Sequence, residues 1–115
     1  LLEVVPSLIE RISSKQESDK KLRRISKGVR RGQCPSFDID DQGTLRINGR
    51  ICVPNNKDLK QEVLSESHRS KLNIHPGISK MYKDMRRAFW WPNMKKDVAR
   101  FVNSCAICQQ VKGDQ

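Results

Sequence analysis

The sequence is poor in aromatic residues and in long apolar runs, and each shortage narrows what the chain can be. Aromatic residues make up 5% of the 115 residues, which is low for an enzyme with its own buried cleft. No apolar stretch approaches the ~18 residues that a membrane-spanning helix needs, and no charged segment precedes an apolar run as in a signal peptide. We therefore expect an intracellular protein that neither crosses a membrane nor acts on a small-molecule substrate. A first residue of Leu rather than Met suggests a piece of a longer polypeptide.

Negative charge is also scarce. The chain has 23 Lys and Arg against 13 Asp and Glu, a formal net charge of +10. Such an excess favours a polyanionic partner, either nucleic acid or an anionic membrane surface. A basic surface without any partner is the alternative.

Residues 1–33 are expected to form a helical, mobile and basic N-terminal extension of two short helices. Apolar residues recur at helical spacing in two groups, Leu8 with Ile12, and Leu22 with Ile25 and Val29. The second helix carries seven cations: Lys20, Lys21, Arg23, Arg24, Lys27, Arg30 and Arg31. They either contact phosphates or form a solvated face, and the solvated face is favoured because no aromatic residue is interleaved with them. The extension either packs on the following hairpin or trails in solvent.

Residues 34–55 change to a period of two, which predicts a small antiparallel β meander or hairpin. The alternating apolar residues are Phe37 and Ile39, Leu45 and Ile47, and Ile51 and Val53. Asn48-Gly49 suits a type I′ turn because both residues tolerate positive φ. Cys52 is out of phase with its neighbours and is interpreted as a small filler or an exposed thiol, not as a ligand.

Residues 56–112 are expected to form three helices, and residues 113–115 to begin a linker. Asn55 or Asn56 is suited to cap the first helix, which has its apolar strip at Leu59, Val63 and Leu64. The second has apolar residues at Ile78, Met81, Tyr82, Met85 and Phe89, and WWPN ends it. The third has them at Met94, Val98, Phe101, Val102 and Cys105, with Asn93 as its cap. The fold class predicted is thus mainly α with a small β hairpin.

The chain's two histidines precede a Cys-x-x-Cys pair, and the four residues His68, His75, Cys105 and Cys108 form a candidate zinc site. Zinc accepts imidazole and thiolate in a closed tetrahedron, and one structural Zn²⁺ would staple the three-helix unit together. A redox pair is the alternative for the cysteines, but it expects a thioredoxin-like β-α-β setting, whereas an amphipathic helix precedes Cys105. The aromatic residues near the helix junction are interpreted mainly as core, with one tryptophan left exposed.

The segment LKQEVLSESHRSKLNIHPGISKMYKDMRRAFWWPNMKKDVARFVNSCAICQQVK resembles the integrase zinc-binding domain of gypsy-type LTR retrotransposons, related to the N-terminal zinc domain of retroviral integrases. The upstream GTLRINGRICVP is similar to the hairpin that precedes this domain. The family's four zinc ligands correspond to the four residues of the candidate site. Asn93 stands where the family often has glycine.

The resemblance implies a role in DNA integration within a retrotransposon polyprotein, with localisation in a cytoplasmic particle and the nucleus. Catalysis there belongs to a separate three-carboxylate core that would begin after Cys108, so no catalytic residue is assigned. The fragment would bind zinc, help integrase subunits assemble and hold DNA. A zinc-stapled protein-interaction module, or a decayed retroelement fragment without DNA binding, is the alternative.

The residues expected to hold DNA are basic residues on two of the predicted helices. The polar sides of the second and third helices carry the candidate phosphate contacts Lys80, Lys83, Arg86, Arg87, Lys95, Lys96 and Arg100. Lysine and arginine side chains in this number favour contacts to phosphates without base reading. Contact with another integrase subunit through the same surface is equally open.

Overall fold

The computed structural model describes residues 6–69 and 78–104. Within these ranges the fold is mainly helical with one small sheet, as the sequence predicts. Its elements are α1 (Pro6–Gln16), α2 (Lys20–Arg30), β1 (Phe37–Ile39), β2 (Leu45–Ile47), β3 (Arg50–Cys52), α3 (Lys57–Arg69), α4 (Ile78–Met85), β4 (Phe89–Trp90) and α5 (Met94–Ser104). None of the helices in these ranges is long and apolar enough to span a lipid bilayer. The division of the chain into domains at residues 33 and 55 stays a prediction.

The hairpin turn between β2 and β3 has the conformation that its sequence predicts. Asn48 and Gly49 have φ of 49° and 83°, the positive values that a type I′ turn requires at both central residues. The two-residue loop sets Ile47 opposite Arg50, and Arg46 therefore pairs with Ile51. Because paired residues point to the same side of a sheet, the apolar residues of β2 and β3 face opposite sides. Each side of the sheet consequently needs its own apolar cover.

Helix α2 covers one side of the sheet. The buried centre of this smaller cluster is Leu22, Leu45 and Cys52. Around it pack Ile25, Val29, Phe37, Ile39, Ile47 and Trp90. Cys52 is fully buried, so the filler interpretation is confirmed and the exposed-thiol alternative is wrong. Burial raises the pKa of the Cys52 thiol to about 12.

The main core lies on the other side of the sheet. Its buried residues are Leu8, Ile12, Ile51, Val53, Leu59, Val63, Leu64, Met81, Met85, Phe89, Trp91, Met94, Val98 and Val102. They come from α1, β3, α3, α4 and α5 and from the segment around β4. The apolar spacings predicted for α1, α3, α4 and α5 thus point into one common core.

The N-terminal helices pack on the rest of the chain and do not trail in solvent. Leu8 and Ile12 of α1 are buried in the main core. Arg11 donates two hydrogen bonds to the Glu62 carboxylate, at 2.5 and 2.6 Å, which joins α1 to α3. The expectation of a mobile extension is therefore replaced by two helices built into the two cores.

The predicted second helix of the 56–112 region ends earlier than its periodicity indicates. We expected α4 to reach Phe89, but it ends at Met85, and Phe89–Trp90 forms β4. Strand β4 pairs in parallel with β3, with Ile51 opposite Phe89. The predicted antiparallel meander of β1, β2 and β3 is confirmed, and β4 extends it to a mixed sheet in the order β1-β2-β3-β4. The following Pro92 disfavours helical backbone at Trp91, and the free edge of β3 offers N–H groups to a new strand.

Two caps fix the ends of helices near the sheet. Asn56 accepts the Leu59 N–H at 3.1 Å, so it is Asn56 and not Asn55 that caps α3. Asp19 accepts the Leu22 N–H at 3.1 Å at the start of α2, and its other oxygen accepts the Asn55 N–H at 2.7 Å. Asp19 therefore connects α2 to the segment that leads into α3.

The side chain of Gln16, at the end of α1, is buried inside the hairpin. Going away from the turn, the last residue pair of β2 and β3 is Arg46 with Ile51. The backbone polar groups of Leu45 and Cys52, which come next, therefore need partners from elsewhere. The Gln16 amide donates to the Leu45 carbonyl at 3.0 Å and to the Cys52 carbonyl at 2.7 Å. Its oxygen accepts the Leu45 N–H at 2.8 Å. One side chain thus satisfies three backbone groups that burial would otherwise leave unbonded.

Replacing Gln16 by Leu tests this role. The change leaves three backbone groups buried without partners, so we expect a loss of about 3 kcal/mol in the free energy of unfolding. Urea unfolding followed by circular dichroism measures it. The matched control is Gln61→Leu, at an exposed position of α3, which is expected to change stability by less than about 0.5 kcal/mol. Equal stability of the two variants would contradict the assignment.

Stability should also fall in acid through two aspartates. Partial burial alone would raise the pKa of Asp19 and of Asp40. Hydrogen bonds outweigh burial and lower both pKa values, from Asn55 and Leu22 at Asp19, and from Arg46, Thr44 and Gln42 at Asp40. A carboxyl with a lowered folded pKa stabilises the fold above the unfolded value, and this stabilisation is lost as the pH falls through the folded pKa. The loss should therefore begin below pH 3.8, the ordinary aspartate value.

The measurement is the thermal midpoint as a function of pH for Asp19→Asn and Asp40→Asn. We expect both variants to have a lower midpoint than the unmodified chain at neutral pH and a shallower fall in acid. Asp41→Asn, an exposed neighbour in the same turn as Asp40, serves as the control. An acid profile that neither variant alters would show that these carboxyls do not carry the effect.

Candidate metal centre and basic surface

One of the four predicted zinc ligands, His68, lies in the described part of the chain, and the other three lie outside it. His75, Cys105 and Cys108 are beyond residues 6–69 and 78–104. In those two ranges, no three His, Cys, Asp or Glu side chains come together in a metal-binding arrangement. The four-residue ligand set therefore stays a prediction, and the geometry of the site begins with His68.

His68 lies in the last turn of α3 and is 4% exposed. It follows Leu64 by one helical turn, and Leu64 is buried in the main core. The imidazole packs edge-to-face on the Phe101 ring of α5, with ring centroids 5.4 Å apart and an angle of 80° between the planes. His68 thus lies on the apolar face of α3, the face that packs against α5.

The contact with Phe101 relates His68 to the predicted cysteines. Phe101 precedes Cys105 by four residues, one turn of an α-helix, and α5 ends at Ser104 directly before that cysteine. Val98 and Val102 are fully buried, so α5 is held firmly by the core up to this end. The imidazole therefore lies beside the helix turn from which the Cys-x-x-Cys segment leaves.

The donor chemistry at this point fits zinc. A neutral imidazole is a common zinc ligand, and a buried one must have its ring orientation fixed by its surroundings. Packing on Phe101 fixes the ring plane of His68. A groove of ≈ 460 Å³ reaches this histidine and is lined by Gln61, Glu62, Ser65, Glu66, His68 and Phe101.

The aromatic residues near the junction serve mostly as core, as the sequence interpretation holds. Phe89 and Trp91 are buried in the main core, and the indole N–H of Trp91 donates to Asp97 at 2.8 Å. Trp90 points to the other side of the sheet and packs edge-to-face on Phe37, with centroids 6.2 Å apart. The outward tryptophan is therefore half-buried and not fully exposed. Its placement depends on β4, which the sequence pattern missed.

The seven cations predicted to contact phosphates are all exposed on α4, α5 and the turn after α4. Tyr82 orders two of them, because the Arg86 guanidinium carbon and the Lys95 ammonium lie 5.9 and 5.8 Å from its ring centroid. Lys80 forms an ion pair with Asp84 at 3.4 Å, and its side chain is 63% exposed. The seven side chains are therefore accessible to a partner, and their binding to nucleic acid stays a prediction.

Asn93, directly before α5, has a φ of 66°. This left-handed conformation is one that glycine adopts without cost and that asparagine tolerates better than most residues. It gives a physical reason why glycine suits this position in similar sequences. The residue is thus a backbone turn that sets the start of α5, rather than an extended cap of the ordinary kind.

The sequence resembles known proteins over more than half of its length. The family model described as the integrase zinc binding domain matches residues 55–114. The Pro-Pol polyprotein of Feline foamy virus is 32% identical over 76 residues, which cover 61% of this chain and 7% of that polyprotein. The Transposon Tf2-3 polyprotein of Schizosaccharomyces pombe is 26% identical over 74 residues, covering 64% of this chain and 6% of that polyprotein.

The chain thus spans less than a tenth of the length of these curated relatives. No solved structure matches it significantly. The matched residues include α3, α4, β4 and α5 together with all four predicted ligands, and they make up more than half of the sequence. The chain therefore belongs to the integrase zinc-binding domain family, with relatives among retroviral and retrotransposon polyproteins.

Proposed function

We propose that this chain is the zinc-binding N-terminal region of a retrotransposon integrase. It binds one structural Zn²⁺, supports assembly of integrase subunits and holds DNA without reading its sequence. The observation that carries the proposal is the burial of His68 against Phe101, one helical turn before Cys105. That packing supports the proposal because it holds an imidazole beside the last turn of α5, which the Cys-x-x-Cys segment follows in sequence, in a chain of the zinc-binding family.

The residues that would hold the metal are His68, His75, Cys105 and Cys108. When bound, zinc supplies a closed tetrahedral link among four ligands and no catalytic position. Two thiolates offset the charge of the dication, so the link adds no net charge to a basic domain. The role of His68 is to present a ring that its packing on Phe101 already orients.

The zinc would connect the residues that follow α3 in the sequence to those that follow α5. Residues 70–77 follow α3 and contain His75, whereas residues 105–108 follow α5. The main core holds the two helices together, and the metal would extend that closure to the chain following each. Structural zinc in small peptides contributes roughly 10 kcal/mol of folding free energy, which is large beside the stability of a domain this size.

DNA holding is proposed for the exposed cations of α4 and α5. Lysine and arginine contact phosphates without regard to sequence, and each phosphate neutralised releases counterions from DNA. The Tyr82 ring supports this role because Arg86 of the turn after α4 and Lys95 of α5 both contact it, which orders two of the cations. Subunit assembly would use the groove between α3 and α5, where the partly exposed Phe101 provides an apolar contact within a polar rim.

A zinc-stapled protein-interaction module without DNA binding is the second candidate, and the same groove favours it. The groove has a volume of ≈ 460 Å³ and is lined by Asn55, Lys57, Lys60, Gln61, Leu64, Asp97, Arg100, Phe101 and Ser104. Sizing the zinc-loaded protein with and without duplex DNA separates the candidates. The interaction module is favoured if the measured mass rises with protein concentration and is the same with and without DNA.

Metal analysis tests the zinc proposal directly. We expect close to one zinc per chain, loss of helical circular dichroism on chelation, and the same loss in His75→Ala and Cys108→Ser. Cys34→Ser is the matched control, because Cys34 is a cysteine outside the predicted set, and this variant should keep its zinc. Helices that persist unchanged in metal-free protein would show that the zinc is not structural.

The salt dependence of duplex binding tests the DNA proposal. The logarithm of affinity should fall linearly with the logarithm of salt concentration, and the double variant Lys83→Ala/Lys96→Ala should reduce the slope by about 2. The control is Lys15→Ala/Lys27→Ala, which removes two exposed cations from α1 and α2 instead. Fluorescence anisotropy with two unrelated duplex sequences should give similar affinities. No binding at low salt, or a strong preference for one sequence, would sink the proposal.

A further inference from the structure

A second basic site lies away from α4 and α5, in a cleft where α2 begins. The cleft has a volume of ≈ 550 Å³ and opens between α2, the segment after β3 and the segment after β4. Its lining residues are Asp19, Lys20, Lys21, Leu22, Val53, Asn55, Lys60, Trp90, Pro92 and Asn93. It shares no residue with the predicted zinc ligands or with the α4 and α5 cations.

Three ammonium groups from two helices meet at this cleft. Lys20 and Lys21 are exposed in the first turn of α2. Lys60 of α3 donates to the Asn55 side-chain oxygen at 2.9 Å and lies 5.9 Å from the Trp91 ring centroid, so it is already ordered. Asp19 is the one acid in the lining, and its two oxygens accept backbone N–H groups of Leu22 and Asn55. The cleft therefore keeps a net positive charge.

The cleft also has an aromatic wall. Trp90 is half-buried, and its edge-to-face contact with Phe37 fixes the orientation of the indole. No aromatic residue is interleaved with the cations of α2 in sequence. Strand β4 supplies one in space, since pairing with β3 brings Trp90 to the side of the sheet that α2 covers. Aromatic rings beside a basic groove are the arrangement that binds unpaired bases by stacking.

We propose that this cleft binds an unpaired nucleotide of a single-stranded nucleic acid. The base stacks on Trp90, and Lys20, Lys21 and Lys60 contact the phosphates on either side of it. The amides of Asn55 and Asn93 lie in the lining and offer hydrogen bonds of either sense to a base edge or a sugar. The site goes beyond duplex holding, because a paired base cannot reach Trp90 without leaving its stack.

The zinc-loaded full chain and short labelled homopolymers test the proposal. Fluorescence anisotropy with pentadeoxyuridylate and pentauridylate measures affinity, and these two arms, which differ only in the 2′-hydroxyl, show which sugar the cleft accepts. We expect Lys20→Ala/Lys21→Ala to weaken binding about tenfold. The matched control is Lys27→Ala/Arg30→Ala, which removes two exposed cations of the same helix that do not line the cleft. It should cost less than about threefold, through net charge alone.

Tryptophan variants test the stacking contact. Trp90→Leu should weaken binding by roughly tenfold, whereas Trp90→Phe should recover most of the affinity because it keeps an aromatic face. Oligonucleotide binding should quench the tryptophan emission of the unmodified chain, and Trp90→Phe should abolish the quenching although Trp91 remains. Thermal midpoints identify any variant that fails to fold, and the lysine pair then decides the question alone.

Two results would overturn the proposal: equal losses in both lysine pairs, or binding without a change in tryptophan emission. Its failure is distinct from a failure of duplex holding. Lys83→Ala/Lys96→Ala should weaken duplex binding and leave the oligonucleotide affinity nearly unchanged. Oligonucleotide binding that persists when duplex binding is absent would contradict duplex holding and support the cleft.

Discussion

The hydrogen bonds of Gln16 are the interaction on which the rest of the fold depends. Strands β2 and β3 share only two residue pairs, so the hairpin by itself is too short to be stable. The side chain of Gln16, at the end of α1, makes hydrogen bonds where the pairing of the two strands stops. It satisfies three backbone groups that are buried inside the protein. It also fixes where α1 ends relative to the sheet, and the short connection to α2 then lets that helix turn onto the opposite side. The two sides of the sheet are thereby covered by one continuous segment.

This arrangement makes the basic N-terminal helix and the zinc-binding helices parts of one folded body. The main core receives α1, α3, α4 and α5, and the smaller cluster receives α2 on the far side of three-residue strands. Asp19 and the Arg11–Glu62 pair add polar links between the same parts. A cation on α2 and a cation on α5 consequently have a defined spacing, which a flexible linker would not provide. If both surfaces contact nucleic acid as proposed, their contacts with one molecule would be geometrically coupled.

Much of this fold follows from local patterns in the sequence, and the failures have a common cause. Helical spacing identified the buried residues of α1, α2, α3 and α5, and Asn48-Gly49 identified the turn because its conformation depends on two residues alone. Phe89 also satisfied the helical spacing, but its pairing with Ile51 joins residues far apart in the sequence, and such pairing is invisible to a local pattern. Gln16 was missed for the same reason. The family was identified from motif order, whereas the four-ligand set stays a prediction because three of its members lie outside the described residues.

The two-residue turn between β2 and β3 sets the register of the hairpin, and the register decides which side of the sheet each residue of β3 faces. Its register sets Arg46 opposite Ile51, so that Ile51 and Val53 face the main core while Cys52 faces α2. If an inserted residue were absorbed by sliding the pairing one place, every side chain of β3 would change sides. The small thiol would enter the large core and two branched side chains would enter the small one. We therefore expect a residue inserted at this turn to be tolerated only where a β-bulge restores the original alternation of the β3 side chains between the two faces of the sheet.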